Sequence, residues 1–392
     1  MIPETDTLRE STLRLHRFLC QTHWNGRALE GPDSGVRFNA HFWRFAKSYL
    51  GFFPWSDNRV YLQAQGYWIL CNWRMFDLLG GEQNRRLALT SSQYVLDSQR
   101  PAGYWEYPDP ERRGKIATVE GDYATLGLQE THARTGQESL LAAAIRWHRF
   151  LVEEIGFQGK DGLLAVNYFA HVPSSDPVPN NSTLTLRTLA KLAQAAGDQK
   201  YLAPCKGMVA WLNSVQSPTG ELPYTVGGLG SPGRPHFLCY QYNAFELLDL
   251  CDYFRVSQDE TIWPVMQKLA RFLSGGLSRS GAARYDCHHQ SPVVFYYTAA
   301  VAAALSQATA LGLGSFRPVA ERAYRWVLCH QRKNGGSEFF SRRNYGWLAD
   351  RRSYPRNLAM VLYHLLLELG LDSAGSETRS EETPISGRAC AL

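Results

Sequence analysis

Helix-length apolar segments alternate with polar, glycine-containing loops along most of the chain. Six of these apolar segments follow a polar loop, at 63–79, 122–132, 182–195, 243–254, 297–311 and 357–369. Their spacing of apolar positions predicts helices. Another helical segment precedes each of them, so the pattern as a whole predicts six helix pairs.

A short sequence phrase recurs at the end of the first helix of the pairs. Its strong copies contain an aromatic residue, an aliphatic residue, three further residues, Gln, three residues and Gly, and they begin at Tyr94, Trp211 and Trp326. Weaker copies keep the aromatic–Leu start, at Phe18, Phe150 and Phe272. A helix pair cannot bury its own apolar faces, so successive pairs have to pack side by side. Six pairs that close on themselves give an all-α (α/α)6 toroid, with the second helices inside.

The recurring phrase also carries a resemblance to known families. Gln99-x3-Gly103-x-Trp105 resembles the QW repeat of squalene and oxidosqualene cyclases and of prenyltransferase β-subunits. The Gln…Gly turns are similar to those of sugar-acting toroids, such as polysaccharide lyases and glucuronyl epimerases. The resemblance covers about 350 residues, and it implies an architecture and not a reaction.

The extent of the repeat sets the domain organisation. It predicts a single toroid domain over 1–371, followed by a disordered tail rich in Ser, Glu and Thr at 372–392. The charged fraction of 20% and the hydrophobic fraction of 44% are those of an ordinary globular protein. A net charge of +5 is too small to indicate nucleic-acid binding, but it suits an anionic ligand. Its expected source is the basic cluster of Arg342, Arg343, Arg351, Arg352 and Arg356.

Targeting and redox signals are sparse. The N-terminus has acidic residues where a signal peptide carries basic ones, and no apolar run reaches the roughly 20 residues of a membrane span. We therefore expect a cytoplasmic protein without a membrane span. The eight cysteines form no CxxC pair, which predicts mostly reduced core residues.

Neither a cofactor nor a metal ion is expected from the sequence. The run Cys287-His288-His289 contains ligand-type side chains. Adjacent ligands need further partners at suitable spacing to complete a metal site, however, and none is identifiable in the sequence.

The candidate site lies where the second helices begin. In a toroid the N-termini of the inner helices meet at one mouth, where their free N–H groups and dipoles favour an anion or a polar oxygen. Asp122 and Asn181 could act only as helix caps, and Gln63 and Gln241 could serve only the loop backbone. The candidate substrate-binding residues are Gln63, Asn180, Asn181, Tyr240, Gln241, Arg352, Tyr354 and Arg356, and the candidate catalytic residues are Glu120, Asp122, Tyr242, His288 and Tyr297.

The first functional hypothesis is a carbohydrate-active enzyme. It would act on an anionic, uronic-acid-containing glycan by proton abstraction, as a lyase or an epimerase, in the biosynthesis or tailoring of a polysaccharide. This chemistry needs a cation or amide to neutralise the carboxylate, a base for the α-proton and an acid on the opposite side. Arg352 or Arg356 with Asn180 and Asn181 suits the first task. His288, Tyr242 and Tyr297 suit the other two.

Three alternatives stay open. Hydrolysis would use Glu120 and Asp122 with a further carboxylate. An isoprenoid enzyme, a terpenoid cyclase or prenyltransferase, is implied by the QW-like turns. The segment 119–124 nevertheless has Gly121 where the cyclase motif Asp-x-Asp-Asp-Thr-Ala carries its proton-donating Asp. The third alternative is a non-catalytic toroid that binds a partner.

Overall fold

The computed structural model describes residues 5–36, 41–53, 57–172, 176–227, 233–339 and 350–381. These residues form α1 (Thr5–Thr22), α2 (His41–Tyr49), α3 (Leu62–Leu79), α4 (Glu82–Ser98), α5 (Thr118–Thr135), α6 (Glu138–Phe150), α7 (Pro179–Ala196), α8 (Cys205–Val215), α9 (Cys239–Ser257), α10 (Trp263–Ser274), α11 (Phe295–Ala310), α12 (Arg317–His330) and α13 (Pro355–Glu381). Shorter helical turns are Pro110–Arg112, Leu151–Ile155, Gln199–Leu202 and Glu260–Ile262. Strands β1 (Phe157–Gln158) and β2 (Ala165–Val166) pair antiparallel.

The odd-numbered helices from α3 to α13 form a closed inner ring. Each packs against the next, and α13 packs against α3. The outer helices α4, α6, α8, α10, α12 and α1 surround this ring. On α11 every residue from Phe295 to Ala308 is buried, and its small side chains allow the neighbouring helices to approach closely. The predicted all-α (α/α)6 toroid is therefore confirmed, with its second helices inside.

The recurring Gln residues join neighbouring outer helices. In each strong copy the side-chain amide donates one hydrogen bond to the carbonyl of the Gly four residues later. It donates a second to the next outer helix, from Gln99 to Ala143 O at 2.9 Å, from Gln216 to Val265 O at 3.0 Å and from Gln331 to Ser11 O at 3.0 Å. The last of these joins α12 to α1 and so closes the outer ring.

The glycines of these turns lie against the backbone of the same neighbouring helices. A Cβ atom at Gly103 would lie 2.5 Å from the carbonyl oxygen of Arg146 in α6. Gly335 lies similarly close to the carbonyl of Arg14, as does Gly281 to that of Arg322. All three glycines have positive φ. The fifth unit, where Leu277 replaces the Gln, therefore keeps the glycine contact without the amide.

Some regions differ from expectation or lie outside the described residues. The aromatic residues from Phe42 to Tyr49 lie in α2, and the Phe42 and Phe52 side chains are exposed. Helix α13 continues to Glu381 and so enters the segment 372–392 that the sequence predicts to be a tail. Arg342 and Arg343 lie outside the described residues. None of the helices described is long and apolar enough to cross a membrane.

The glycine contact predicts a position-specific cost of adding one methyl group. Gly103→Ala should destabilise the fold because its Cβ atom meets Arg146 O, an overpacking that typically costs about 1–3 kcal/mol. Gly26 is the matched control, since its φ is +97° against +98° for Gly103 and an added Cβ atom would have no neighbour within 4 Å. Gly26→Ala bears only the backbone strain. Urea unfolding would measure both free energies, and equal losses would contradict the close-contact argument.

Candidate active site

One cavity lies at the mouth formed by the N-terminal ends of the inner helices. Its volume is about 210 Å³. All six inner helices contribute to its wall: Gln63 from α3, Tyr123 from α5, Asn180 and Asn181 from α7, Gln241 and Tyr242 from α9, Tyr296 from α11, and Arg356 and Asn357 from α13. The structure thus brings together six of the thirteen sequence-predicted site residues, from all parts of the chain.

Tyrosines make up much of the cavity wall. They are Tyr107, Tyr123, Tyr168, Tyr224, Tyr242 and Tyr296. The Tyr224 and Tyr242 rings lie 4.7 Å apart, centre to centre. Burial raises the pKa of Tyr242 well above its usual value and raises that of Tyr296 as well. Their hydroxyl groups are therefore neutral at physiological pH and able to donate hydrogen bonds.

Arg356 is the only charged side chain among the described residues that line the cavity. Its Nε donates to Asp33 Oδ2 at 2.6 Å and its Nη2 to Asp33 Oδ1 at 2.7 Å. The remaining Nη1 donates to Gln63 Oε1 at 2.9 Å. This two-bond pairing fixes the guanidinium plane. The charge of Arg356 is therefore already balanced within the protein by Asp33.

Two amide side chains in the wall have polar atoms without a partner among the described residues. They are Nδ2 of Asn181 and Oε1 of Gln241, and both residues are buried. A buried polar atom without a hydrogen bond costs about 1–3 kcal/mol. One donor and one acceptor thus remain available in a cavity lined by hydroxyl groups. Asn181 is not the N-cap residue of α7, since Val178 holds that position.

The floor of the cavity is a buried polar network in the centre of the ring. Tyr123 lies in the wall, and its hydroxyl oxygen is 2.8 Å from that of Tyr67. The Tyr67 ring packs on Tyr363, whose hydroxyl accepts a hydrogen bond from Arg187 at 2.9 Å. Arg187 also pairs with Asp249 at 3.1 Å. These side chains separate the cavity from a second one of about 540 Å³ at the opposite end of the ring, which Arg187 and Tyr363 also line.

Glu120 lies beside the cavity and forms hydrogen bonds within the protein. Its carboxylate accepts the backbone N–H groups of Leu62, at 2.5 Å, and of Gln63. It therefore caps the first turn of α3, because those N–H groups have no partner within the helix. Burial raises the pKa of Glu120 to about 7, although the positive charge of Arg356 acts in the opposite direction.

Asp122 connects three helices and points away from the cavity. Its Oδ1 accepts from Trp147 Nε1 in α6 at 2.9 Å, and its Oδ2 accepts from Thr185 Oγ1 in α7 at 2.7 Å. Asp122 is not the N-cap residue of α5 either, since Ala117 holds that position. Burial raises the pKa of Asp122 to about 7. Neither carboxylate of the hydrolysis hypothesis therefore lines the cavity.

Two further candidates, on the α13 side, lie outside the cavity wall. Arg352 Nη2 donates to Asp57 Oδ2 at 2.6 Å. The buried Tyr354 donates to Asp350 Oδ2 at 2.8 Å. Both side chains thus hold the segment that leads into α13, and they position Arg356 indirectly.

Three candidates near α9 and α11 also lie outside the wall. Tyr240 stacks on Phe272, with ring centres 5.1 Å apart, and Tyr297 packs beside Tyr285. His288 is exposed. Tyr240 thus packs against α10 and Tyr297 against the loop before α11, while the neighbouring Tyr242 and Tyr296 face the cavity.

The tyrosines that the loops supply were not predicted from the sequence. Tyr107, Tyr168 and Tyr224 each lie in the loop between an outer helix and the following inner helix. The candidates were drawn only from the residues at the inner-helix starts. The available signal was the repeated presence of an aromatic residue in the equivalent loops of units two, three and four.

Comparisons with known proteins identify the fold. Neither protein-family models nor curated proteins match the chain. Among solved structures, a possible member of the GH105 family from Salmonella enterica superposes with a TM-score of 0.67 at 14% identity, over 95% of this chain and 97% of its own. The cellobiose 2-epimerase from Bacillus thermoamylovorans gives 0.67 at 11%, over 92% and 99%. A polysaccharide lyase gives 0.63 at 9%, over 94% and 98%.

At these identities the similarity shows a shared toroid fold alone. All three structures carry names from the sugar-acting side of the sequence resemblance. The comparison with them lends no support to a relationship with the QW-repeat cyclases.

The raised pKa of Asp122 predicts a pH-dependent stability. Its pKa is about 7 in the folded protein and about 3.9 in an unfolded chain. Between those values the folded state holds a proton that the unfolded state has lost, so stability falls as pH rises. One such group contributes up to about 1.4 kcal/mol per pH unit.

The test replaces Asp122 by Asn, which can accept from Trp147 and donate to Thr185 Oγ1. Unfolding free energies from pH 4 to 7 should fall less steeply with pH in Asp122→Asn than in the unchanged protein. Asp97→Asn, at an exposed position, controls for the loss of one negative charge. An unchanged slope in Asp122→Asn would mean that the buried carboxyl is already ionised at pH 4.

Proposed function

We propose that the protein is a carbohydrate-active enzyme that binds a uronic-acid-containing sugar in the tyrosine-lined cavity. The reaction would begin with proton abstraction, and the enzyme would be a lyase or an epimerase. The observation that carries this proposal is the composition of the wall. It combines six tyrosines, five amide side chains and one arginine, contributed by all six inner helices and by three of the loops that precede them.

Hydrogen-bonding capacity favours a sugar as the ligand. A sugar ring presents several hydroxyl groups, each of which can donate and accept. The unpartnered Nδ2 of Asn181 and Oε1 of Gln241 supply the complementary donor and acceptor. Tyrosine rings add apolar faces with a polar edge. An isoprenoid chain would leave these polar atoms unsatisfied, which is unfavourable.

The electrostatics of the mouth favour an anionic sugar. The positive ends of six helix dipoles point toward the cavity, and a carboxylate is favoured there. Arg356 adds a cation, although Asp33 balances its charge. The amide of Asn181 and the tyrosine hydroxyls would therefore supply much of the hydrogen bonding that neutralises the uronate carboxylate.

Proton transfer is assigned to tyrosines of the wall. In both reactions a base takes the proton α to the carboxylate. In the lyase reaction the C–O bond at the β-carbon then breaks and an acid protonates the leaving oxygen, whereas in the epimerase reaction a proton returns on the opposite face. Tyr242, whose pKa burial raises, suits the acid. Tyr296 would act as the base in its ionised form, which the positive charge of Arg356 favours but which burial makes a minor state at neutral pH.

The solved structures that share the fold also support a lyase or an epimerase. A polysaccharide lyase and a cellobiose 2-epimerase share this toroid fold over more than nine-tenths of the chain. Their names match the two reaction types under consideration. No carboxylate lines the cavity among the described residues, so hydrolysis by a carboxylate pair has no comparable support.

The binding proposal predicts a charge-selective effect at Asn181. Asn181→Asp would place a negative charge beside the substrate carboxylate and remove the free N–H donor. We expect affinity for uronate oligosaccharides, measured by calorimetry, to fall on the order of 100-fold, since like charges in close contact cost several kcal/mol. Asn84→Asp, on the surface of α4, is the control. Equal uronate affinity in both variants would exclude this cavity as the carboxylate site.

The catalytic proposal predicts that the Tyr242 hydroxyl is needed for turnover and not for the fold. Tyr242→Phe should lower kcat by about 10²–10⁴-fold, the usual contribution of general acid–base catalysis, with KM little changed. Tyr253→Phe removes a hydroxyl on the same helix that bonds Asp259, and it should retain activity. Elimination creates an ultraviolet-absorbing double bond, whereas epimerisation introduces deuterium from D₂O. The proposal would be contradicted if no uronate tested gave either product.

A further inference from the structure

A second group of reactive side chains lies beside the cavity and takes no part in the proposed reaction. Glu221 follows the Gln216–Gly220 turn after α8, His236 precedes α9, and Cys287 precedes α11. One ligand-type atom from each lies within 4.8 Å of the other two. Residues from three separate loops thus meet at one point.

The distances within the group are short. His236 Nδ1 lies 2.6 Å from Glu221 Oε2, and the His236 backbone N–H donates to Glu221 Oε1 at 2.8 Å. Cys287 Sγ lies 4.0 Å from Glu221 Oε2. A second thiol, that of Cys239, lies 3.4 Å from Cys287 Sγ. The Glu221 side chain is almost completely buried, whereas His236 and Cys287 reach solvent.

The backbone around His236 is in an uncommon conformation. His236 has φ +63° and Leu238 has φ +45°, both in the left-handed region that non-glycine residues rarely adopt. Such residues are strained, and they cluster at functional sites and ligand clamps. Here the conformation directs the His236 ring and its N–H to the same carboxylate. The strained backbone therefore positions His236 against Glu221.

We propose that Glu221, His236 and Cys287 bind a divalent transition-metal ion, with zinc the preferred ion. Carboxylate oxygen, imidazole nitrogen and thiolate sulfur are the three ligand types of protein zinc sites, at about 2.0–2.3 Å. Three ligand atoms within 4.8 Å of one another can surround one such ion after small side-chain rotations. Binding releases the Cys287 thiol proton to solvent.

Cys239 is the candidate for the fourth position. Its thiol is the nearest further ligand to Cys287, and it would complete a tetrahedral set. The sequence analysis found no partners for Cys287 because they lie 51 and 66 residues earlier in the chain. Side-by-side packing of the fourth unit against the fifth brings these residues together.

The group lies next to the cavity but takes no part in the proposed sugar chemistry. Leu238, two residues after His236, lines the cavity, and so do Gln241 and Tyr242 one turn later. A bound ion would tie the loop before α9 to the loop before α11. It would thereby fix the start of the helix that carries Gln241 and Tyr242. The metal proposal stands independently of the identity of the cavity ligand.

The test uses the full-length protein, kept reduced, stripped with a chelator and titrated with Zn²⁺ or Co²⁺. We expect one equivalent of Zn²⁺ to bind and to raise the melting temperature. Co²⁺ should give the intense visible bands of a tetrahedral site and a near-ultraviolet thiolate band. Failure to bind Zn²⁺, or Co²⁺ binding without a thiolate band, would overturn the proposal.

Matched variants locate the ligands. Cys287→Ser should weaken Zn²⁺ binding by more than the roughly 10–100-fold that loss of an outer-shell partner causes. Cys329→Ser is the control, since Cys329 is also a free, exposed cysteine. His236→Gln should weaken binding as strongly as Cys287→Ser, with both proteins folded as judged by circular dichroism. Unchanged Zn²⁺ affinity in either ligand variant would refute the assignment.

Discussion

The structure depends on a close approach between successive outer helices that glycine alone permits. At Gly103 a Cβ atom would lie 2.5 Å from a carbonyl oxygen of the next outer helix, a separation that side chains do not tolerate. The Gln amide four residues earlier adds a hydrogen bond across the same junction. Gln331 repeats this contact between α12 and α1, so the first and last units are held by the same device as the others. A sequence-local turn thus closes a ring made from distant parts of the chain.

Closure of the ring creates the candidate site. Inner-helix N-termini that are far apart in sequence meet at one mouth, and each contributes at least one side chain to the cavity. The floor separates the two ends of the ring. Arg187, Tyr67 and Tyr363 fill the centre of the ring with a hydrogen-bonded network, which separates the cavity from the one at the opposite end. A ligand that enters at the N-terminal mouth meets a closed polar chamber and not a channel.

The repeat made the fold predictable, but it did not predict the direction of each side chain. Period and turn chemistry are local, so the toroid and the positions of its inner helices could be read from spacing alone. Which of two adjacent tyrosines faces the cavity depends on helix rotation within the ring. Tyr242 and Tyr296 face it, while Tyr240 packs on Phe272 of α10 and Tyr297 packs beside Tyr285 of the preceding loop. Asp122 was a catalytic candidate because it lies at the start of an inner helix, yet Trp147 and Thr185 occupy both its oxygens. Such pairings are set by tertiary contacts.

The proposed preference for an anionic sugar rests on the distribution of charge around the mouth. Asp33 balances Arg356, and Glu120, whose pKa burial raises to about 7, is held by the N–H groups of α3. The two nearest acidic groups are therefore engaged by the protein, and neither presents a free negative charge to the cavity. What remains exposed to a ligand is the positive end of six helix dipoles with neutral tyrosine and amide groups. Neutral donors bind a carboxylate without requiring a second buried cation, whose desolvation would cost several kcal/mol. This distribution underlies the proposal of a uronic acid as the ligand, because a uronic acid is an anion that also carries many hydroxyl groups.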